Sequence, residues 1–321
     1  MPDMNPFRSG IMVKIVLAAG VLGFVAWQVD YNAITYAYAQ ASPVWIVFAL
    51  LLLPLNMALQ YAKWLTLVRH YRPNVSSRAV LASLGVGFSA GLITPSRLGE
   101  LAGRALSIQD TDRAALLGLS AVDKAATLFV TLVVGVPTIA YAGFVYGETP
   151  GAFLALPVVL AGVLAIALVL LFLLIPGAYR WLLDKFPFPK KFRGRYERLF
   201  AALNEIPRAV LLRLFQLSAL FYVTFTLQFI LVARAFEQVD PVTTAVIVIC
   251  IMFTKSLVPQ VTFGELGIRE GVAVFFFSLF GYHASTGFNS ALVIFAMNVL
   301  LPAVAGLMFT RHLHLVRTAA P

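Results

Sequence analysis

Residues 79–110 read AVLASLGVGFSAGLITPSRLGELAGRALSIQD, and the way this stretch sits in a membrane decides the fold. Its apolar part, 79–93, is shorter than the about 20 residues that a helix needs to cross a bilayer. Residues 97–110 carry Arg97, Glu100 and Arg104 and are too polar to cross lipid alone. A second stretch has the same arrangement: an apolar piece (242–258), Pro259, and another short segment (265–281). The hexapeptide GELxxR occurs in both, as GELAGR (99–104) and GELGIR (264–269). On insertion scales a charge at the bilayer centre costs about 2.5 to 3.5 kcal/mol, so Arg97, Glu100, Arg104, Glu265, Arg269 and Glu270 left bare would together cost roughly 15 to 20 kcal/mol. Either these charges pair internally or they line a wet cavity that handles a polar substrate.

The rest of the chain supplies the membrane. Hydrophobic residues make up 60% of the 321 and charged residues 12%, and mean hydropathy is +0.89. These values lie outside the range of soluble domains. Apolar runs near 11–29, 43–66, 114–142, 152–176, 212–235 and 287–310 predict six helical spans, because backbone in lipid must bond within its own segment. The net charge of +10 sits between the spans, where it orients the chain and attracts anionic headgroups, so nucleic acid is not an expected partner. The single cysteine, Cys250, excludes an internal disulfide. Ala37-Tyr38-Ala39 resembles a cleavage site, but Asp30 and the long polar approach favour an uncleaved first span.

Basic residues cluster on alternate connections. Arg8 and Lys14, then Arg69, Arg72 and Arg78, then the run from Arg180 to Arg198, then Arg311 and Arg317 belong inside. Connections 30–42, 143–151 and 236–241 lack Lys and Arg and belong outside. This count closes if each short pair dips in and returns to its own side. The expectation is an all-α polytopic protein, a single integral membrane domain with both termini cytoplasmic. It comprises six full spans and two re-entrant helical hairpins in two inverted-topology repeats: 1–142 with hairpin 79–110, and 152–321 with hairpin 242–281. The alternative is eight plain spans. Residues 193–213 predict an amphipathic helix within a cytoplasmic linker (177–211).

Thr94 and Pro95 have the pattern of an N-cap and a first helical position, so a helix is predicted to start there, with Gly99 in its first turns and Arg97 adding charge to an anion-favouring terminus. Thr262 and Glu265 have capping-box spacing after the break at Pro259, and Gly264 and Gly267 allow close approach. In both hexapeptides Glu precedes Arg by four residues, the favourable order for a pair. One reading makes Glu100–Arg104 and Glu265–Arg269 self-neutralising pairs only. The other notes that Arg97 and Glu270 then stay unmatched locally and call for a pair across the repeats or a bound anion. Asp123 and Lys124, adjacent within a span, each need a partner elsewhere, and Lys255 lies just before the second break. The expected substrate-binding set is Arg97, Glu100, Arg104, Asp123, Lys124, Lys255, Arg269 and Glu270. The four histidines fall in loops or the tail, and no nucleophile elbow, HExxH or P-loop is present, so no catalytic residue, metal or cofactor is expected.

PSRLGELAGR (95–104) and PQVTFGELGIREG (259–271) resemble the two hallmark elements of the lysylphosphatidylglycerol synthase transmembrane-region family. The resemblance covers essentially the whole chain, with Asp123-Lys124 standing where that family more often has Glu-Arg. It implies a flippase-like membrane domain without the aminoacyl-transferase domain of bifunctional members. The expected function is movement of a phosphate-bearing phospholipid or lipid-linked headgroup across a bacterial inner membrane, with a homodimer left open. The alternatives are an intramembrane lipid-modifying enzyme using Glu100, Asp123 or Glu270 as acid or base, and an accessory scaffold.

Overall fold

Run length and proline placement account for the long elements. The computed structural model describes residues 31–94, 97–108, 111–145, 159–164, 166–167, 206–258 and 266–312, and no strand occurs among them. Four helical segments are long and apolar enough to span a bilayer: Pro43–Tyr71, Arg113–Val145, Arg208–Phe236 and Ala284–Phe309. They coincide with four of the expected spans. The expected span at 11–29 and most of that at 152–176 lie outside the described residues. Outward-facing side chains such as Val47, Phe48, Leu220, Val223, Leu227 and Val304 are apolar and exposed, as a lipid-facing surface requires.

The elements are α1 (Tyr31–Gln40), α2 (Pro43–Leu51), α3 (Leu53–Tyr71), α4 (Ser77–Leu92), α5 (Leu98–Leu106), α6 (Arg113–Val145), α7 (Arg208–Phe236), α8 (Pro241–Leu257), α9 (Ile268–Leu279), α10 (Ala284–Phe295) and α11 (Leu301–Gly306). The connection expected at 30–42 contains α1, which ends where Pro43 opens α2. The amphipathic helix expected over 193–213 is corrected at its end. Pro207 is the N-cap of α7, and residues 208–213 are the first turns of that spanning helix; the rest of the linker lies outside the described residues.

Two of the four long segments are locally broken beside a proline, whereas Arg113–Val145 and Arg208–Phe236 run unbroken. Pro54 separates α2 from α3. A π-helical turn, Ala296–Leu300, joins α10 to α11 just before Pro302. Both irregularities meet the buried Gln228 of α7. Its amide nitrogen donates to the Ala49 carbonyl at 3.0 Å, and its oxygen accepts from Asn298 at 2.7 Å and from Asn56 at 3.5 Å. A buried amide satisfied on both sides stabilises the crossing of three helices.

The two short pairs form between these spans. Ser76 caps α4, its hydroxyl accepting the Ala79 N–H at 3.2 Å. Asp240 caps α8 in the same way through Thr243 at 2.7 Å, a bond that holds the Asp240 carboxyl below its ordinary pKa. Helix α5 folds back on α4 along two glycine pairs, Gly87 with Gly91 and Gly99 with Gly103. A Cβ at Gly103 would lie 3.0 Å from the Gly87 Cα, and one at Gly99 would strike the Ala90 carbonyl and the Thr94 hydroxyl. Small residues at this spacing let backbones approach closely. Helix α4 also packs on α11, where Ser89 donates to the Ala303 carbonyl at 2.6 Å. Helix α8 packs on α6, where Phe253 fills the space over Gly135.

Gly99→Val should open this hairpin, since overpacking costs about 1–3 kcal/mol. The melting temperature of the detergent-solubilised protein should drop by several degrees, whereas Ala102→Val, on the exposed face of α5, should leave it nearly unchanged.

Candidate functional site

Helix α5 places Glu100 and Arg104 one turn apart, and both are buried. The Glu100 carboxylate accepts Arg104 Nη2 at 2.5 Å and Lys124 Nζ at 2.7 Å through Oε1, and Oε2 lies 3.1 Å from Arg97 Nη2. Arg104 turns its other nitrogen to Asp123 Oδ2 at 2.7 Å, and Asp123 Oδ1 lies 2.9 Å from Lys63 Nζ. Lys63 also donates to the Thr127 hydroxyl at 2.5 Å. Aromatic faces close the network: the Arg104 guanidinium lies 5.3 Å from the Trp64 ring and Lys63 Nζ 5.6 Å from the Phe221 ring.

Two carboxylates thus bind four cations. Removing a carboxylate from a buried network of this kind leaves cations without a counter-charge, whereas removing one of the four cations leaves each carboxylate still paired. The four cations differ in exposure. The Lys63 and Arg104 side chains are 4% and 1% exposed, whereas Arg97 is 20% and Lys124 43% exposed. The two positive charges that the carboxylates leave over therefore sit at the open side of the network, on Arg97 and Lys124.

The structure corrects the local pairing expected from sequence. Arg97 is matched within its own turn by Glu100. It is also the N-cap of α5, with φ of 52°, the one non-glycine residue in the left-handed region among the described residues. Thr94 is not the N-cap. Its hydroxyl donates to the Ala90 carbonyl at 2.9 Å and accepts the Gly99 N–H at 2.7 Å, so it bridges the two arms of the hairpin. Pro95 lies outside the described residues.

In the second hairpin, Pro259, Thr262, Gly264 and Glu265 lie outside the described residues, and α9 begins later than the hexapeptide suggests. Its N-cap is Gly267, at φ 89°, and its third residue is Glu270, whose carboxylate accepts the Gly267 N–H at 2.6 Å. Each short pair thus has a residue of positive φ, Arg97 or Gly267, three residues before a buried glutamate, Glu100 or Glu270. The repeated GELxxR is out of register with that correspondence. Positive φ at the cap decides it, and glycine adopts that conformation without a Cβ penalty. Glu270 is fully buried, Arg269 is buried with its guanidinium 5.7 Å from the Phe295 ring, and Lys255 is half-buried in the last turn of α8. No ion pair joins these three to the Glu100 network among the described residues. The sequence reading passed over Lys63, whose signal was a lone lysine deep in an apolar run.

An all-helical multi-pass membrane protein whose folded-back hairpin buries a cation-rich ion network is the class these features define. Residues 11–306 match the family described as lysylphosphatidylglycerol synthase TM region, and the chain belongs to that family. The comparison with curated proteins gives no match. Membership points to a function concerned with membrane lipids.

Glu100→Gln should destabilise the protein by about 3–5 kcal/mol, since the cations around it lose their shared counter-charge. Loss of the folded, monodisperse species in size-exclusion chromatography or a large fall in melting temperature would register this. Arg97→Gly should be more stable than Arg97→Ala by about 1 kcal/mol, because both lose the ion pair and only the glycine relieves the left-handed backbone.

Proposed function

We propose that the protein is a lipid flippase or lipid transporter of a bacterial inner membrane, moving a phosphate-bearing headgroup past the Glu100 network while the acyl chains stay in lipid. The observation that carries this reading is the charge imbalance: four cations on two carboxylates, with the surplus on the two most exposed side chains, Arg97 and Lys124. An anionic headgroup balances that surplus, and a guanidinium suits phosphate geometry. Arg104 is directed at both carboxylates, so it organises the network, and Arg97 and Lys124 meet the headgroup. Glu100 and Asp123 are each held by two or more cations, which speaks against their use as free acid or base groups.

Alternating access through two inverted repeats fits the order of elements. A long segment, a short pair and a long segment occur twice: α2–α3, α4–α5 and α6, then α7, α8–α9 and α10–α11. The packing supports an exchange between the halves, since α4 rests on α11 and α8 rests on α6. In this reading both hairpins are re-entrant, the termini are cytoplasmic, and Arg69, Arg72 and Arg78 mark the cytoplasmic face.

Purified protein in proteoliposomes should accelerate the loss of inner-leaflet protection of a fluorescent anionic phospholipid toward a membrane-impermeant quencher added outside. Lys124→Gln and Arg97→Gly should each slow this by about tenfold or more, equivalent to about 1.4 kcal/mol per decade, while eluting as folded protein. Wild-type rates in the double variant would sink the proposal.

A further inference from the structure

A groove of about 360 Å³ opens between the end of α3 and the start of α7, lined by Leu65, Thr66, Arg69, Ala209, Val210 and Arg213. Its composition is that of an amphiphile site. Leu65, Ala209 and Val210 form an apolar wall, and Arg69 and Arg213 supply two exposed cations from different helices. Among the described residues neither arginine has an acidic partner: Arg69 donates to the Ser77 hydroxyl at 2.8 Å, and no ion pair engages Arg213. Thr66 donates its hydroxyl to the Ala62 carbonyl at 2.7 Å, so the polar demand of the groove rests on the two guanidinium groups. Basic pockets between membrane helices recognise anionic lipid headgroups, the guanidinium taking the phosphate and the apolar wall taking the first chain carbons.

The groove also lies at one end of a polar seam along the α3–α7 crossing. Six residues inward from Arg69, about 9 Å at 1.5 Å per residue, is Lys63, which lies over Phe221 of α7 and binds Asp123 of the ion network. Farther along the same two helices Asn56 meets Gln228. We infer that the α3–α7 groove binds the headgroup of an anionic phospholipid from the adjoining leaflet through Arg69 and Arg213, at a site separate from Arg97 and Lys124. Its role as the loading site for transport rests on the flippase reading; its binding of lipid does not.

The test is native mass spectrometry of the full chain in detergent, with phosphatidylglycerol and, separately, phosphatidylcholine added. The wild type should retain the anionic lipid in preference. The Arg69→Gln/Arg213→Gln double variant should bind it about tenfold or more weakly. Ala209→Trp, which fills the groove and keeps both arginines, should show the same loss. Arg113→Gln, which removes an exposed arginine outside the groove, should keep lipid binding. Unchanged retention in both groove variants, or an equal loss in Arg113→Gln, overturns the assignment. Because detergent has no leaflets, a protein that binds here and moves no lipid in proteoliposomes contradicts the transport reading alone. One that moves lipid and binds it equally well in the groove variants contradicts the groove alone.

Discussion

A carboxylate held by three cations in a nearly dry place is the constraint on which the rest of this structure depends. Glu100 has no exposed surface, and its charge is tolerable only because Arg97, Arg104 and Lys124 converge on it. Convergence requires that a nine-residue helix, α5, be pressed against α4 and α6. The glycine pairs of the hairpin provide that proximity, since any side chain larger than hydrogen at Gly87, Gly99 or Gly103 would hold the helices apart. The electrostatics and the packing are thus one requirement seen twice: close helices make the ion network possible, and the network makes a polar helix admissible among apolar ones.

The same economy governs the seams between long helices. The breaks at Pro54 and at the π-helical turn both lie against the buried Gln228. Beside Pro54 the Ala49 carbonyl accepts the Gln228 side-chain N–H, and from within the π-helical turn the Asn298 side chain donates to the Gln228 oxygen. Both of these irregular places among the described residues thus lie against a neighbouring helix that supplies a polar partner.

Much of this was legible in the sequence, and what was not has physical reasons. Span lengths follow from bilayer thickness, so the runs beginning near Pro43, Arg113, Arg208 and Ala284 were readable. The short apolar pieces followed by charge also corresponded to real helices, α4 and α8. Pairing was less accessible. Lys63 and Asp123 are separated by a long stretch of chain and meet only because α3 and α6 pack, so no local spacing announced them. Arg97 was misread because helical spacing was counted from Thr94, whereas the helix starts three residues later behind a left-handed cap. The second hairpin was misregistered for a related reason. The eye matches GELAGR to GELGIR, while the backbone matches residues whose φ is positive and whose third successor is a buried glutamate.

The contrast between the two caps has a consequence for reading the chain. At Gly267 the cap has a positive φ that glycine adopts freely; at Arg97 the cap is left-handed, a conformation that a residue with a Cβ resists by about 1–2 kcal/mol. What offsets that resistance is visible beside it, since the Arg97 guanidinium lies 3.1 Å from the buried Glu100 carboxylate. The two arms are thus closed by different means: a side-chain charge holds the glutamate in the first, and the backbone N–H of Gly267 holds it in the second.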